Sequence, residues 1–487
     1  MLIDEERNTM SDPLNLDGSY EWSGHWWLPG NPDNKVDGAL RYDKHKGLEL
    51  SLIGGFDDRS IERSSHNVTT IRACTQEWDV IFGNAEDCKI TLIDGAPRYT
   101  PHRVCYESIK LEKQIIVAEI ALVGAHVNSE NEPKFSIGQV SVENLGSWAV
   151  SSRPFCDSDV FGVRVKSDSG EEFALGRYPS DFVDDGKPGM DVNSITNAVY
   201  MQFSSPIPYS LGSAISRVQS IQSLITFAAH RAAGVIWLRL KTMNLASSFQ
   251  SDKAALTVDV IYPPNIVGNS KAEDVERRHM LLACDSAIFE RVILGWLDVC
   301  ESLLPATNLL LVFHYASDRY IESLILMAVG AAEALHQSLG IDELPMPKEV
   351  FGEIRENMLT QAPKDLRPRF KSMIQNRMTL RERLLALAAR PDQQAVSKIV
   401  LDVELWAKKA VRARNELAHT AATKNHSLEE LFAIVEVTRA VVTLNILHEL
   451  GVSPERQREI VERNRWMRGV VKQSKHWFKG QDDESPK

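Results

Sequence analysis

The hexapeptide Arg414-Asn415-Glu416-Leu417-Ala418-His419 closes a long helical pattern in the C-terminal half of the chain. Histidine is the side chain that exchanges protons most readily near neutral pH. Arginine is a permanent cation whose planar donors suit the charge that builds on a phosphate group. With an amide beside them, these residues predict a site that cleaves a phosphodiester without a metal or other cofactor.

The spacing of the motif limits how its side chains can meet. Arg414 borders the apolar face of the helix, because it lies three residues after Val411 and three before Leu417. Asn415 and His419 are four residues apart and share a face. Arg414 and His419 are five residues apart, about 140° around an ideal helix. They converge only if the helix loosens at its end or a partner helix supplies half of the site. The alternative is an ordinary helix end with an arginine–carboxylate pair.

Charge is unevenly distributed along the chain, whose formal net charge is −11. Residues 1–304 contain 28 Lys and Arg against 42 Asp and Glu, whereas residues 305–480 contain 26 against 21. This asymmetry predicts that RNA would contact the basic C-terminal part. The predicted RNA-binding residues, three beside the motif and three near the C-terminus, are Lys408, Lys409, Arg412, Arg463, Arg465 and Arg468.

The basic segment near the C-terminus has two interpretations. Residues 454–480 interleave lysines and arginines with Trp466 and Trp477. Such a segment can grip an RNA backbone and stack bases on its aromatic rings. The alternative is an amphipathic helix that packs its tryptophans against the protein.

Length and composition favour a soluble protein of several domains. A chain of 487 residues exceeds one core of ordinary size, and 43% hydrophobic and 25% charged residues are typical of soluble proteins. The first twelve residues are acidic and polar, and no apolar window reaches membrane-spanning length, so neither a signal peptide nor a membrane helix is expected. The six cysteines lack zinc-site spacing and are expected to be reduced thiols in a cytoplasmic protein.

The predicted fold is α+β and multidomain. Short strands separated by turns, at 48–53, 68–72, 90–93, 115–123 and 161–165, predict an antiparallel sandwich or twisted barrel. The strand at 90–93 is expected to end at Asp94-Gly95. A helix follows from Ser210, then two further strands at 235–240 and 255–261, and a helical stretch at 272–304.

The C-terminal part predicts an all-α bundle. Apolar residues at helical spacing predict helices at 320–339, 380–389 and 428–450, and one long helix at 395–419. The predicted borders are a β-rich domain at 1–205, a mixed linker region at 206–304, a helical domain at 305–452 and a basic tail with an acidic end at 453–487.

Several segments besides the hexapeptide carry a resemblance to a known family. In the C-terminal part they are 331–335 (AAEAL), 380–384 (LRERL) and 448–451 (HELG). In the N-terminal part they are 24–29 (GHWWLP), 36–40 (VDGAL) and 48–54 (LELSLIG). With these the chain resembles the Apea-like HEPN family of bacterial phage-defence proteins, whose N-terminal domain is β-rich. The likeness spans most of the sequence but is loose at about 200–300.

The resemblance implies a ribonuclease active as a homodimer or higher even oligomer, with its site where two motif helices meet. His419 would be the acid/base for attack of a ribose 2′-hydroxyl, and Arg414 would stabilise the phosphorane charge. Asn415 would orient one of them. Glu333 matches an acidic position of the earlier helix and would either orient Arg414 or His419 or form a structural salt bridge. The products would carry 2′,3′-cyclic phosphate and 5′-hydroxyl ends.

The resemblance also implies a biological setting. Such proteins often cut structured RNA, including tRNA anticodon loops, and thereby stop growth of an infected cell. The N-terminal domain would sense or regulate, for example by covering the basic part or detecting a phage-encoded trigger. One alternative is a non-catalytic RNA- or protein-binding HEPN module whose helices only dimerise. Another is a carbohydrate-active sandwich, which needs paired carboxylates that the sequence does not name.

Overall fold

The computed structural model describes nine longer stretches of the chain and, between 56 and 109, five shorter ones. The described residues are 12–56, 60–63, 69–72, 77–86, 88–99, 102–104, 109–149, 161–177, 199–243, 255–284, 288–315, 320–341, 344–420 and 425–478. Internal contacts divide the chain into Met1–Arg277 with Leu282–Glu290, and Arg278–Leu281 with Arg291–Lys487. The expected borders at 205, 304 and 452 stay predictions.

The first unit is built on antiparallel β-structure. Its described strands are β1 (Ser19–Trp27), β2 (Val36–Asp43), β3 (Gly47–Ile53), β4 (Ser60–Arg63), β5 (Thr69–Arg72), β6 (Trp78–Ala85), β7 (Cys88–Tyr99), β8 (His102–Val104), β9 (Ile109–Leu111), β10 (Lys113–Val123), β11 (Phe135–Val142), β12 (Phe161–Lys166), β13 (Glu172–Arg177), β14 (Val199–Tyr209), β15 (Val235–Thr242) and β16 (Thr257–Ile261). Two helices accompany them, the short α1 (Leu145–Ala149) and, after the Ser210 cap, the longer α2 (Leu211–Ala229).

Six strands close into a barrel that continues into an open sheet. The order is β12-β13-β14-β11-β15-β16-β10-β3-β2-β1-β6-β7, and β7 pairs back onto β10. Strand β10 makes this possible because one of its edges pairs with β7 while the other pairs first with β3 and then with β16. The prediction of a β-rich N-terminal domain is confirmed, and the strands expected after Ser210 belong to this same sheet.

The barrel interior explains the alternating pattern of β3. Leu48, Leu50 and Leu52 point inward and are buried, as a strand with one buried face requires. On the neighbouring strands β1 and β6, where Trp26 and Gly83 are paired, a Cβ on Gly83 would lie 2.4 Å from the indole of the fully buried Trp26. The tryptophan therefore needs a glycine opposite it.

The predicted end of a strand at Asp94-Gly95 is wrong. Strand β7 continues to Tyr99, with Gly95 paired to Trp78 on one side and to Ala118 on the other. Asp94 does adopt a positive φ of 52°, the local irregularity that the turn-like dipeptide reflects. Two partner strands nevertheless hold the ladder together, because each supplies backbone hydrogen bonds across the irregularity.

The predicted helical stretch at 272–304 is helical only near its end. Apart from a single 3-10 turn at Arg277–His279, the described helix begins at Phe289. Asp274 accepts hydrogen bonds from the backbone N–H groups of Asn144 and Ser147, and Asn144 Oδ1 accepts one from Val275 N. These side-chain bonds hold the segment beside α1 in a non-helical form, which local periodicity does not reveal.

The second unit is helical. Its described helices, the first of which begins two residues before the unit does, are α3 (Phe289–Ser302), α4 (Leu304–Tyr315), α5 (Ile321–Ser338), α6 (Lys348–Gln361), α7 (Arg367–Met373), α8 (Leu380–Ala389), α9 (Gln393–Ile399), α10 (Val403–Thr420), α11 (Leu428–Glu449), α12 (Pro454–Arg463) and α13 (Arg465–Trp477). Helix α11 is central and packs against α5, α8, α9, α10 and α13. The predicted C-terminal bundle is confirmed.

The long helix predicted at 395–419 is in fact two helices. Helix α9 ends at Ile399 and α10 begins at Val403. Asp402 lies at the break, where its Oδ1 accepts a hydrogen bond from Leu405 N at 2.8 Å. Aspartate is a favoured N-cap, so it starts a new helix while the apolar periodicity continues across the break. The apolar spacing of this helix also predicts that Ala418 faces inward, but Ala418 is exposed.

Among the described residues, α11 is long and apolar enough to cross a bilayer, and the bent pair of α3 and α4 passes the same test of composition. Of the apolar window in α11, 83% is buried inside the protein, which is typical of the core helix of a bundle. Among the described residues, Cys88, Cys284 and Cys300 form no disulfide, and the other three cysteines lie outside the described residues.

Candidate active site

The motif lies at the C-terminal end of α10, which is anchored by its buried face. Trp406 is fully buried and donates from Nε1 to Thr438 Oγ1 of α11 at 3.2 Å. Ala407, Ala410 and Ala413 are fully buried as well and allow α10 to approach α5 and α8. The motif is therefore presented by a fixed helix rather than by a loop, which favours precise placement of its side chains.

Arg414 lies at the border of this buried face, as the spacing predicts. Its side chain is 37% exposed, and its Nη2 lies 3.7 Å from Glu333 Oε2 of α5. Its Nη1 donates a long hydrogen bond of 3.3 Å to Asn415 Oδ1. The distance to Glu333 exceeds that of a charge-assisted hydrogen bond, which is about 2.7–2.9 Å. The guanidinium is attracted toward the carboxylate, but that contact does not saturate its donors.

Glu333 faces two arginines at once. Its Oε1 lies 3.6 Å from Arg383 Nη1 of α8, opposite its contact with Arg414. The carboxylate is 36% exposed, whereas the Arg383 side chain is only 15% exposed. The structure thus brings two of the predicted site residues, Glu333 and Arg414, together from separate helices and adds a third group that sequence reasoning did not name. An arginine–carboxylate pair is also what the structural alternative expects.

The motif glutamate is tied to the chain beyond the helix. Glu416 Oε1 accepts hydrogen bonds from Asn425 Nδ2 and, at 3.0 Å, from Arg412 Nε. The Asn425 hydrogen bond, with a smaller contribution from Arg412, lowers the pKa of Glu416 below its ordinary value. Glu416 therefore joins Asn425 to the last turns of α10.

His419 belongs to α10, and the described backbone is helical through Thr420. Its side chain lies outside the described residues, so its contacts are not assigned. Of the two conditions under which Arg414 and His419 could converge, a helix that loosens before the histidine does not agree with this backbone. With helical geometry kept, Arg414 and His419 of one chain leave the helix about 140° apart.

The predicted RNA contacts differ in their surroundings. Lys409 forms an ion pair with Glu430, and Arg463 pairs with Glu459 at 2.6 Å. Three more of the predicted contacts are exposed and form no ion pair within the described part of the chain. They are Lys408 of α10 and Arg465 and Arg468 of α13. Their role in RNA binding stays a prediction.

The tail tryptophans are partly explained by packing. Trp466 of α13 is half-buried, donates from Nε1 to Glu436 and stacks on the guanidinium of Arg439, both on α11. Trp477 is half-buried and lies edge-on to His476. One tryptophan of the pair therefore serves the helical packing that the alternative expected.

Two family models match this chain. Residues 21–296, more than half of it, match the ApeA N-terminal domain 1, and residues 326–456 match the Apea-like HEPN domain. The chain belongs to the ApeA-type HEPN proteins. Searches of curated proteins and of solved structures found no match. Apea-like HEPN membership makes this a defence-related protein of a domain class whose members are generally ribonucleases that bind RNA and dimerise.

The HEPN match covers every part of the candidate site described above, from Glu333 to Asn425. Sequence reasoning missed Arg383 and Asn425. Arg383 stands beside the buried Leu384 in the LRERL segment, so its position at the border of an apolar face was a usable signal. Asn425 carries no such signal, because only the structure shows that its side chain binds Glu416, nine residues earlier in the chain.

Proposed function

We propose that this protein is a metal-independent endoribonuclease that acts in anti-phage defence. One observation carries the proposal. Arg414 stands half-exposed at the end of a rigid helix, five residues before His419, and its guanidinium is oriented by Glu333 and Asn415 without being saturated by them. A cation held in this way can receive a phosphate without first breaking a tight ion pair.

In the proposed reaction, the His419 imidazole takes the proton of a ribose 2′-hydroxyl. The 2′-oxygen attacks the adjacent phosphorus, the bond from phosphorus to the 5′-oxygen breaks, and that oxygen receives a proton. The products are a 2′,3′-cyclic phosphate and a 5′-hydroxyl, and no water is consumed. Arg414 balances the extra negative charge of the phosphorane, and Asn415 and Glu333 hold its guanidinium in place.

The helical backbone supports a site shared between two copies. Since α10 remains helical through Thr420, Arg414 and His419 of one chain leave it in different directions. Two copies of α10 that meet near their C-terminal ends can place the arginine of one beside the histidine of the other. We therefore propose that the homodimer is the active form.

The β-rich domain is proposed to restrain or trigger cleavage. Residues 1–304 have an excess of acidic side chains, whereas the motif lies in the basic part. A phage-encoded trigger that binds the β-rich domain would raise cleavage above a basal rate, and faster cleavage of host RNA, including tRNA anticodon loops, would then stop growth of the infected cell.

The test uses full-length protein and intact cellular RNA in excess EDTA. Wild type is expected to give discrete fragments with cyclic-phosphate ends, while Arg414→Ala and His419→Ala give none. Arg381→Ala serves as the matched control. Arg381 of α8 pairs with Glu404 of α10, the helix that carries the motif, but stands outside the site. Cleavage by both motif variants at the wild-type rate would overturn the proposal, and binding of RNA without cleavage by wild type would favour the non-catalytic module.

A further inference from the structure

A polar cavity opens directly beside the candidate active site. It has a volume of about 560 Å³, within the range of ligand sites. Its lining residues come from the end of α5, from the segments that flank α6 and α7, and from the start of α8: Glu333, Gln337, Leu344, Asn376, Arg377, Met378 and Arg383. Glu333 belongs to both places, because it lines the cavity and faces Arg414.

The walls of this cavity are fixed by hydrogen bonds. The Asn376 side chain accepts from Met346 N at 3.3 Å and donates to Met346 O at 2.7 Å, so it joins the segments before α6 and before α8. Thr379 then caps α8 in a reciprocal capping box with Glu382. Arg377 and Met378, between these two anchors, are therefore held at the rim.

The lining matches the chemistry of a nucleotide. Arg377 is exposed and has no ion pair within the described part of the chain, so it can bind a phosphate group. Leu344, 48% exposed, and Met378 offer an apolar surface on which a base can rest. Gln337 offers an amide for the edge of a base. Cation, amide and apolar surface in one cavity are what a single-stranded ribonucleotide requires.

We propose that this cavity is a subsite for a nucleotide of the RNA next to the one that is cleaved, with Arg377 as its phosphate contact. The inference rests on the proposed nuclease function and deepens it. A phosphate at Arg414 and a flanking nucleotide in the cavity would lie on opposite sides of Glu333. The subsite would therefore contribute to the choice of RNA sequence.

The test measures binding directly, so that it does not depend on cleavage. Full-length His419→Ala protein is titrated into a fluorescent, unstructured RNA of eight nucleotides, and anisotropy is recorded at several salt concentrations. Introducing Arg377→Glu into this protein is expected to weaken RNA binding about tenfold at low salt. The slope of the logarithm of affinity against the logarithm of salt concentration should fall by about one. Arg369→Glu, an equal charge change at an exposed arginine of α7, should remain within about twofold of the parent.

A neutral variant separates the cavity from long-range charge. Gln337→Trp adds bulk from the exposed end of α5 without changing charge, and it is expected to weaken RNA binding as well. Loss with Arg377→Glu but not with Gln337→Trp would overturn the subsite, and so would the absence of measurable RNA binding. If Gln337→Trp blocks the binding of a nucleoside 5′-monophosphate but leaves RNA binding unchanged, the cavity serves a free nucleotide and the RNA assignment is wrong.

The two proposals fail in different ways. If wild type cleaves RNA in EDTA but both cavity substitutions leave RNA binding by the His419→Ala protein unchanged, the subsite is wrong and the nuclease stands. If wild type cleaves nothing but the cavity variants weaken RNA binding, the nuclease is wrong and the binding site stands.

Discussion

Glu333 is the residue on which the geometry of the site depends, since one carboxylate faces the guanidinium groups of Arg383 and Arg414. Neither contact is short enough for a strong hydrogen bond, at 3.6 and 3.7 Å. Half-exposed ion pairs of this kind contribute at most about 1 kcal/mol to stability. A positioning role in catalysis and a purely structural role therefore predict different results for the same substitution.

Glu333→Gln keeps the size of the side chain and removes its charge. If the carboxylate positions Arg414, kcat for RNA cleavage should fall about tenfold with a smaller change in KM, and the urea midpoint should move little. Glu404→Gln is the matched control, because Glu404 pairs with Arg381 on the outer side of α10. An unchanged kcat with lowered stability would assign Glu333 to a structural salt bridge.

The pKa of Glu416 offers a test that needs no RNA. Asn425→Ala removes the main cause of its lowered pKa, so that the pKa should rise toward the ordinary value. In the native protein the stabilisation by this carboxylate is present above its ordinary pKa and is lost as pH falls through the lowered value.

Carboxylate ¹³C shifts recorded against pH measure this change. Glu462, whose pKa is lowered by Lys398, is the internal control and should not respond to Asn425→Ala. A Glu416 titration unaffected by the substitution would show that Asn425 does not bind Glu416 in solution.

Helix α10 is an element whose start is set by one side chain. Asp402→Ala should lower the free energy of unfolding by about 1 kcal/mol, because the cap on Leu405 N is lost. Asp402→Asn keeps an accepting oxygen and should lose only a fraction of that. Urea unfolding followed by circular dichroism compares the three proteins, and equal midpoints for all of them would mean that the α9–α10 break does not depend on this cap.

The assembled protein can be tested for a site shared between copies. Arg414→Ala and His419→Ala proteins are each expected to be inactive. Co-expressed, they form heterodimers in which one of the two sites has both residues. Random pairing makes half of the dimers mixed, so about one quarter of the wild-type cleavage should return.

Separately tagged copies allow the mixed dimer to be purified and its activity measured. Arg381→Ala paired with wild type controls for the effect of co-expression, because Arg381 stands outside the site. If purified mixed dimers remain inactive while wild-type dimers cleave, the arginine and histidine act within one chain, and the loosened helix end must form on binding RNA.

The sequence by itself determined the two fold classes, the family and, to within about a residue, the ends of three helices of the C-terminal bundle. The local signals are the alternation of apolar and polar residues at 48–53 and the helical spacing of apolar residues at 320–339, 380–389 and 428–450. Each predicted strand or helix forms because burial of its apolar face stabilises it. The motif with Arg414 and His419 is local too, because its six residues are consecutive in the chain. Their spacing also placed Arg414 at the border of the buried face.

Only the tertiary structure decided what depends on distant partners. Barrel closure depends on the two edges of β10, continuation of β7 through Asp94-Gly95 depends on neighbouring strands, and the cavity beside Glu333 depends on Asn376 binding Met346 thirty residues away. The pairing of Glu333 with Arg383 and Arg414 joins three helices. Such contacts form between groups that are remote in sequence, so no local pattern encodes them.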